Sequence, residues 1–274
     1  VRVFDAAARS NLFLTEVTVL NNEPLDVVPL WVLLIGIMLV VLLSVEGGYR
    51  LGRFRERRAH ETEAPAGQMV ASTLGLLAFV LGFTFGLAAS RYDVKRQLLV
   101  DEANAIGTSY LRADMLPERG GEVRSLLRAY VDVRLEAPKP GKLQESIHRS
   151  EEIQKQLWGI TVAIATKNSD SVITGLFVES LNDVIDLHTK RLMAALHNRI
   201  PFVIWAALYG ISIFSFAAMG YHSGLVANTR SLATIAVAFT FSVVIVLIAD
   251  LDRSQEGVLK VSQQALLDLR QSMK

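Results

Sequence analysis

Charge disappears from four stretches of this chain, residues 27–45, 69–89, 200–221 and 231–249. Each is close to the roughly 20 apolar residues that a helix needs to cross a hydrocarbon core. Backbone amides in lipid must be satisfied within the segment, so such stretches fold as helices. The chain is 51% hydrophobic and 20% charged, and it sorts the two kinds of residue by segment. The pattern predicts an all-α polytopic membrane protein with four transmembrane helices. It also predicts a helical extramembrane domain inserted between the second and third.

Five regions follow. Residues 1–26 are mixed. Phe4, Ala7, Ala8, Leu12 and Leu14 have the spacing of a short interfacial helix. Residues 27–89 hold the first two membrane helices, joined by a loop with Arg50, Arg53, Arg55, Arg57 and Arg58. The positive-inside rule places that loop in the cytoplasm of a bacterial inner membrane. The first apolar run begins only near Val27 and no small-residue site follows it, so no cleavable signal peptide is read. Residues 90–199 form the polar domain, with helices expected up to Met115, over 121–136, over 143–167, and from a capping cluster at Asn168, Ser169 and Asp170. The apolar stripe of the last one, from Val172 to Leu196, is expected to run on into the third membrane helix. Residues 200–250 hold the third and fourth membrane helices. Residues 251–274 read as an amphipathic tail lying back on the polar domain.

Four crossings put the N-terminus, the polar domain and the tail on one side. With the arginine loop inside, that side is extracytoplasmic. Basic residues also flank the domain itself, at Arg91, Lys95, Arg96, Lys190, Arg191 and Arg199.

Residues 69–115 carry the functional question, because the second apolar stretch runs into polar sequence with no helix breaker. Gly75, Gly82 and Gly86 give it a small face on which another helix can approach closely. Phe79 and Phe83 stack at i, i+4. They either face lipid or form an apolar constriction around a central axis. Asp101, Glu102 and Asn104 are the densest polar group. Either they pair and pack, with Lys95 or Arg112 in reach, or Glu102 or Asn104 forms a polar ring in a vestibule.

Catalytic chemistry finds little support. The chain has no cysteine, and its five histidines have no second ligand at metal spacing. No nucleophile elbow, phosphate loop, zinc-protease or dinucleotide motif is present. A net charge of +1 offers nothing to nucleic acid. No enzyme, cofactor or metal is expected; the partners are membrane lipid, further copies of the chain, and ions.

Residues 83–117, FTFGLAASRYDVKRQLLVDEANAIGTSYLRADMLP, followed by LLRAYVDVRL at 126–135, resemble the bacterial bestrophin-like membrane proteins. EANAIG, 102–107, is the most distinctive piece. Bestrophins are pentameric anion channels with four membrane helices, a helical domain after the second and a tail after the fourth. Their pore narrows at apolar residues on the second helix, a role that the resemblance gives to Phe79 and Phe83 by spacing. No acidic cluster like the bestrophin calcium clasp is found. The resemblance also implies a cytoplasmic domain, opposite to the charge pattern. The expectation is thus a homo-oligomeric, ion-conducting membrane protein, with anions as the ions that the resemblance implies. The rival is a non-conducting scaffold or sensor whose helical domain binds a partner or ligand.

Overall fold

The computed structural model describes residues 28–59, 63–116, 118–139, 141–167, 170–196, 199–226, 232–253 and 259–274. The expectations for residues 1–26 and for the cap residues Asn168 and Ser169 lie outside them. Eight helices occur among the described residues: α1 Leu30–Ala59, α2 Glu63–Ala113, α3 Gly120–Glu136, α4 Leu143–Lys167, α5 Val172–Leu196, α6 Phe202–Leu225, α7 Leu232–Asp252 and α8 Gln264–Ser272. The chain divides into two units: residues 1–92 with 199–259, and residues 93–198 with 260–274.

The first unit holds the helices long and apolar enough to span a membrane, namely α1, the first part of α2, α6 and α7. The protein is a multi-pass membrane protein. Its buried core joins Leu33, Ile37 and Val41 of α1 to Leu77 and Leu81 of α2, Leu208 and Phe216 of α6, and Ile245 and Ile248 of α7. Polar side chains in the spans are satisfied locally. Thr240 and Ser242 donate to the carbonyls of Ala236 and Ala238 at 2.9 and 2.8 Å. Ser215 instead crosses from α6 to the Thr73 carbonyl of α2 at 3.1 Å.

The arginine segment is not a loop, as the sequence reading expected. α1 runs on past Val45 to Ala59, so Arg50, Arg53 and Arg55 stand on its last turns, in the helix that also contains Arg57 and Arg58. Pairs one turn apart support it: Glu46 with Arg50 at 2.9 Å and Arg53 with Glu56 at 3.1 Å. The Gly47-Gly48 pair does not break it, and Gly48 serves packing. Gly48 and Gly52 of α1 face Gly220 and Gly224 of α6 so closely that an added Cβ would overlap a facing backbone carbonyl at each of the four. These are two interlocked GxxxG faces. The glycines singled out from sequence behave otherwise: among the described residues, nothing lies within 4 Å of a Cβ added at Gly75, Gly82 or Gly86.

The second unit is a helical core of α3, α4, α5, α8 and the polar end of α2. Ile106, Leu127, Tyr130, Leu157, Phe177, Leu181 and Leu266 are wholly buried in it. α8 is tied to α3 by a two-pronged Arg270–Asp132 pair at 2.6 and 3.1 Å. The backbone carbonyl of Met273, next to α8, accepts from Tyr110 at 3.1 Å and from Arg128 at 2.6 Å. The expected continuity of the fourth domain helix with the third membrane helix is corrected. α5 stops at Leu196 and α6 begins at Phe202, with Pro201 extended between them at φ −56° and ψ 140°. Proline lacks an N–H and disfavours helical backbone in the residue before it, here Ile200. The Ile200 N–H is capped by the Asp252 carboxylate at 2.8 Å.

Candidate functional site

Two features of α2 bear on function. The first is its face away from the rest of its own unit. Leu77, Leu81, Thr84 and Ala88 are buried, at the i, i+4, i+7, i+11 spacing of a single helix stripe. Phe79 and Phe83 lie outside that stripe and are 71% and 67% exposed, with Leu76 beside them. Gly75, Phe79, Gly82 and Gly86 repeat the same spacing on the exposed side, with Phe83 adjacent. Bulky rings thus alternate with gaps where another backbone can come close, and no part of the described chain fills them.

The second feature lies further along α2, in the polar unit. Glu102 is 0% exposed. Its burial fits the reading in which it pairs and packs, and goes against the one in which it faces an open vestibule. Asn104, two residues on, is exposed, so the helix turns the two candidates to different sides and one polar ring cannot contain both. Four helices converge on Glu102. α2 brings the carboxylate, α3 brings Tyr130 and Arg134 one turn apart, α4 brings Gln154, and α5 brings His188 and Arg191. Arg134 Nε lies 3.1 Å from Glu102 Oε1, off the line of a hydrogen bond, and its Nη2 reaches Oε2 at 3.5 Å. Arg191 Nη1 donates to Oε2. The Tyr130 hydroxyl donates to Oε1 at 3.0 Å.

Charge decides the protonation of the cluster. Burial pushes the Glu102 carboxyl upward, but Arg134 and Arg191 outweigh it and hold the group below the usual carboxylate range. An ionised Glu102 only accepts, so the single Tyr130 proton goes to it. The Tyr130 oxygen then accepts from Gln154 Nε2 at 3.2 Å and from His188 Nδ1, also at 3.2 Å. This makes His188 the neutral Nδ1–H tautomer, and its Nε2 has no hydrogen-bond partner among the described residues. Burial first, and the Arg134 charge second, push the His188 pKa down to about 3. Burial, then the Glu102 charge, raises that of Tyr130.

A histidine with a depressed folded pKa contributes stability that is whole above its unfolded pKa, near 6.5, and is lost as pH falls toward the folded value. Between those limits the polar unit should lose about 1.4 kcal/mol per pH unit from this one site. In His188→Asn the amide nitrogen can take the place of Nδ1 and does not titrate. Thermal unfolding followed at pH 7, 6 and 5 should show a flatter pH dependence for this variant. An unchanged slope would remove His188 as its source.

In the sequence, Arg134 shares the helical spacing of the apolar Val123, Leu127, Tyr130 and Val131. That was the available signal, because a guanidinium on a core stripe demands a buried acid. The cluster has no nucleophile and no metal set. Among the described residues, no group of three or more His, Asp or Glu side chains is placed to hold an ion. What it does is lock four helices into one register.

Comparison with known proteins bears on both features. The fold is similar to crystal structures of a bacterial bestrophin homolog from Klebsiella pneumoniae. One, of a single-substitution variant, has a TM-score of 0.64 at 16% identity, covering 86% of this chain and 97% of that one. A second variant gives 0.64 at 15% identity, over 88% and 96%. A further structure of the homolog gives 0.59 at 15% identity, over 89% and 99%. No curated protein matches the sequence. The model of the Bestrophin-like domain matches residues 27–266, which takes in all four membrane helices, the polar helices between them and the start of α8. The chain belongs to the bestrophin-like family.

Proposed function

We propose that the protein is a homo-oligomeric ion channel of the membrane, conducting anions, with its constriction on the exposed Phe79/Phe83 face of α2. The carrying observation is that this face is apolar, ring-and-gap in texture, and unused by the other described residues. Packing of small residues drives helix association in lipid, where burial of apolar surface gives no gain. Gly75, Gly82 and Gly86 therefore act between copies, and the phenyl rings beside them narrow the axis. Asn104 lines the vestibule beyond. Family membership supports the reading, and a pentamer is the assembly that the bestrophin resemblance implies. The protein works as a channel and not as an enzyme.

Flux from liposomes reconstituted with purified protein tests this. Chloride efflux above that of empty vesicles is expected, and Phe83→Ala should raise the leak severalfold by widening an apolar gate. No flux from an intact oligomer, across voltage, ion and pH, would leave the scaffold reading in its place. By the positive-inside rule, the arginines on α1 support a polar unit outside the cytoplasm. The chain has no cysteine, so single cysteines at Lys139 and His60 are clean reporters. Labelling of intact cells by an impermeant maleimide is expected at 139 and not at 60; the reverse pattern inverts the topology.

A further inference from the structure

The cluster at Glu102 does not balance its own charge. Glu102 is its one carboxylate, and it is shared by two guanidiniums, Arg134 and Arg191. His188 and Tyr130 are neutral at pH 7. One positive charge is therefore left over among four packed helices. Among the described residues, no second carboxylate pairs with either arginine. Buried charges are ordinarily paired, because an uncompensated ion is costly to take out of water.

The surplus sits at Arg191. Arg134 lies against both oxygens of Glu102, with Nε 3.1 Å from Oε1 and Nη2 3.5 Å from Oε2. Arg191 reaches Oε2 alone, through Nη1. A guanidinium has five N–H donors. The others of Arg191 have no acceptor among the described residues, and its side chain, 17% exposed, is the most open point of the cluster. Burial lowers the pKa of both arginines. Glu102 outweighs it at Arg134, which ends raised, and does not at Arg191, which ends lowered. Water at Arg191 would satisfy donors and leave the charge. We propose that a small inorganic anion of single charge, of the size of chloride, binds at Arg191 and neutralises the Glu102 cluster. The open edge of Arg191 admits the ion from solvent, and the idle N–H groups hold it. Its single charge matches the surplus, and its small size matches a narrow opening. The site lies in the polar unit and does not depend on conduction.

Thermal unfolding of the full chain in detergent tests the site, at pH 7 so that His188 stays neutral. Sodium chloride replaces sodium gluconate at constant ionic strength, which keeps screening equal and changes only the anion. At chloride about ten times its dissociation constant, the melting temperature should stand roughly 3–6 °C above that in gluconate. Arg191→Gln leaves a neutral Glu102–Arg134 pair, and its gain should vanish. Lys190→Gln, the exposed neighbour on α5, removes the same charge from water and should keep the gain. The two variants together separate this site from chloride held elsewhere, in a pore above all. Arg191→Lys keeps the charge without the planar fork and should need several times more chloride for half the gain. In crystals soaked in sodium bromide, an anomalous peak should stand against the Arg191 guanidinium. Equal melting in chloride and gluconate overturns the proposal, as does a gain kept by Arg191→Gln or lost equally in Lys190→Gln. So does an unchanged chloride requirement in Arg191→Lys, or the absence of bromide at Arg191.

Discussion

Replacing Glu102 with alanine is expected to destabilise the polar unit by about 3–5 kcal/mol, the cost of leaving buried charge without its partner. Arg134 bears most of that cost. Its side chain is 7% exposed, against 17% for Arg191, so Arg191 can turn toward water while Arg134 cannot. Tyr130 also loses the acceptor for its proton. Two comparisons separate these contributions. Arg191→Ala should cost clearly less than Arg134→Ala, and equal losses would contradict the burial argument. Glu102→Leu combined with Arg134→Met should recover part of the stability lost in either single variant. A buried pair replaced by apolar residues of similar volume is often neutral, whereas half a pair is not. Thermal unfolding in detergent, followed by circular dichroism, reads all four variants.

The second large effect is expected where α1 meets α6. Gly48→Leu or Gly220→Leu puts a side chain into a facing carbonyl, at Ala217 or Val45 respectively. No rotamer avoids the clash, because the Cβ itself overlaps, so the helices must separate along the whole glycine seam. A loss of about 3 kcal/mol or more is expected, at the upper end of overpacking costs. That corresponds to roughly 6–12 °C in melting temperature for a chain of this size. Gly82→Leu makes the opposite case. No described residue lies within 4 Å of a Cβ added there, and the better helix former favours the helix by up to about 1 kcal/mol. The melting of the isolated chain should hold or rise slightly, while crosslinking between copies should fall. If Gly82→Leu and Gly48→Leu lowered the melting temperature alike, the division between an internal and an external glycine face would be wrong.

Those two sets of glycines show how much was legible beforehand. Membrane helices announce themselves by the absence of charge over some 20 residues, a property of the segment alone. α4 and α6 begin within two residues of where apolar spacing and Pro201 put them. Partners are not a property of the segment. Gly82 and Gly86 were singled out for their spacing, and Gly48, Gly52, Gly220 and Gly224 have the same spacing with the tighter packing. Only the position of the facing backbone tells the two sets apart.

Glu102 teaches the same lesson in electrostatic terms. Its own stretch of sequence offers Lys95 and Arg112 as partners, but its guanidiniums come from Arg134 and Arg191 on two other helices. A carboxylate and a guanidinium that far apart in the chain leave no periodic trace. The arginines of α1 were read correctly as a basic segment and wrongly as a loop, because helix continuation there rests on one-turn ion pairs and on glycines occupied by a neighbour.

The sequence by itself determined the all-α class, the four crossings, the unbroken passage of α2 from apolar to polar surroundings, and the membership of EANAIG in a recognisable pattern. These depend on hydropathy and on the absence of helix breakers, and both are summed along the chain. The tertiary structure decided which glycines touch and that Glu102 is a buried lock while Asn104 stays exposed. Each of these depends on distances between residues remote in sequence. A buried charge or a missing Cβ takes its meaning from whatever stands a few ångströms away.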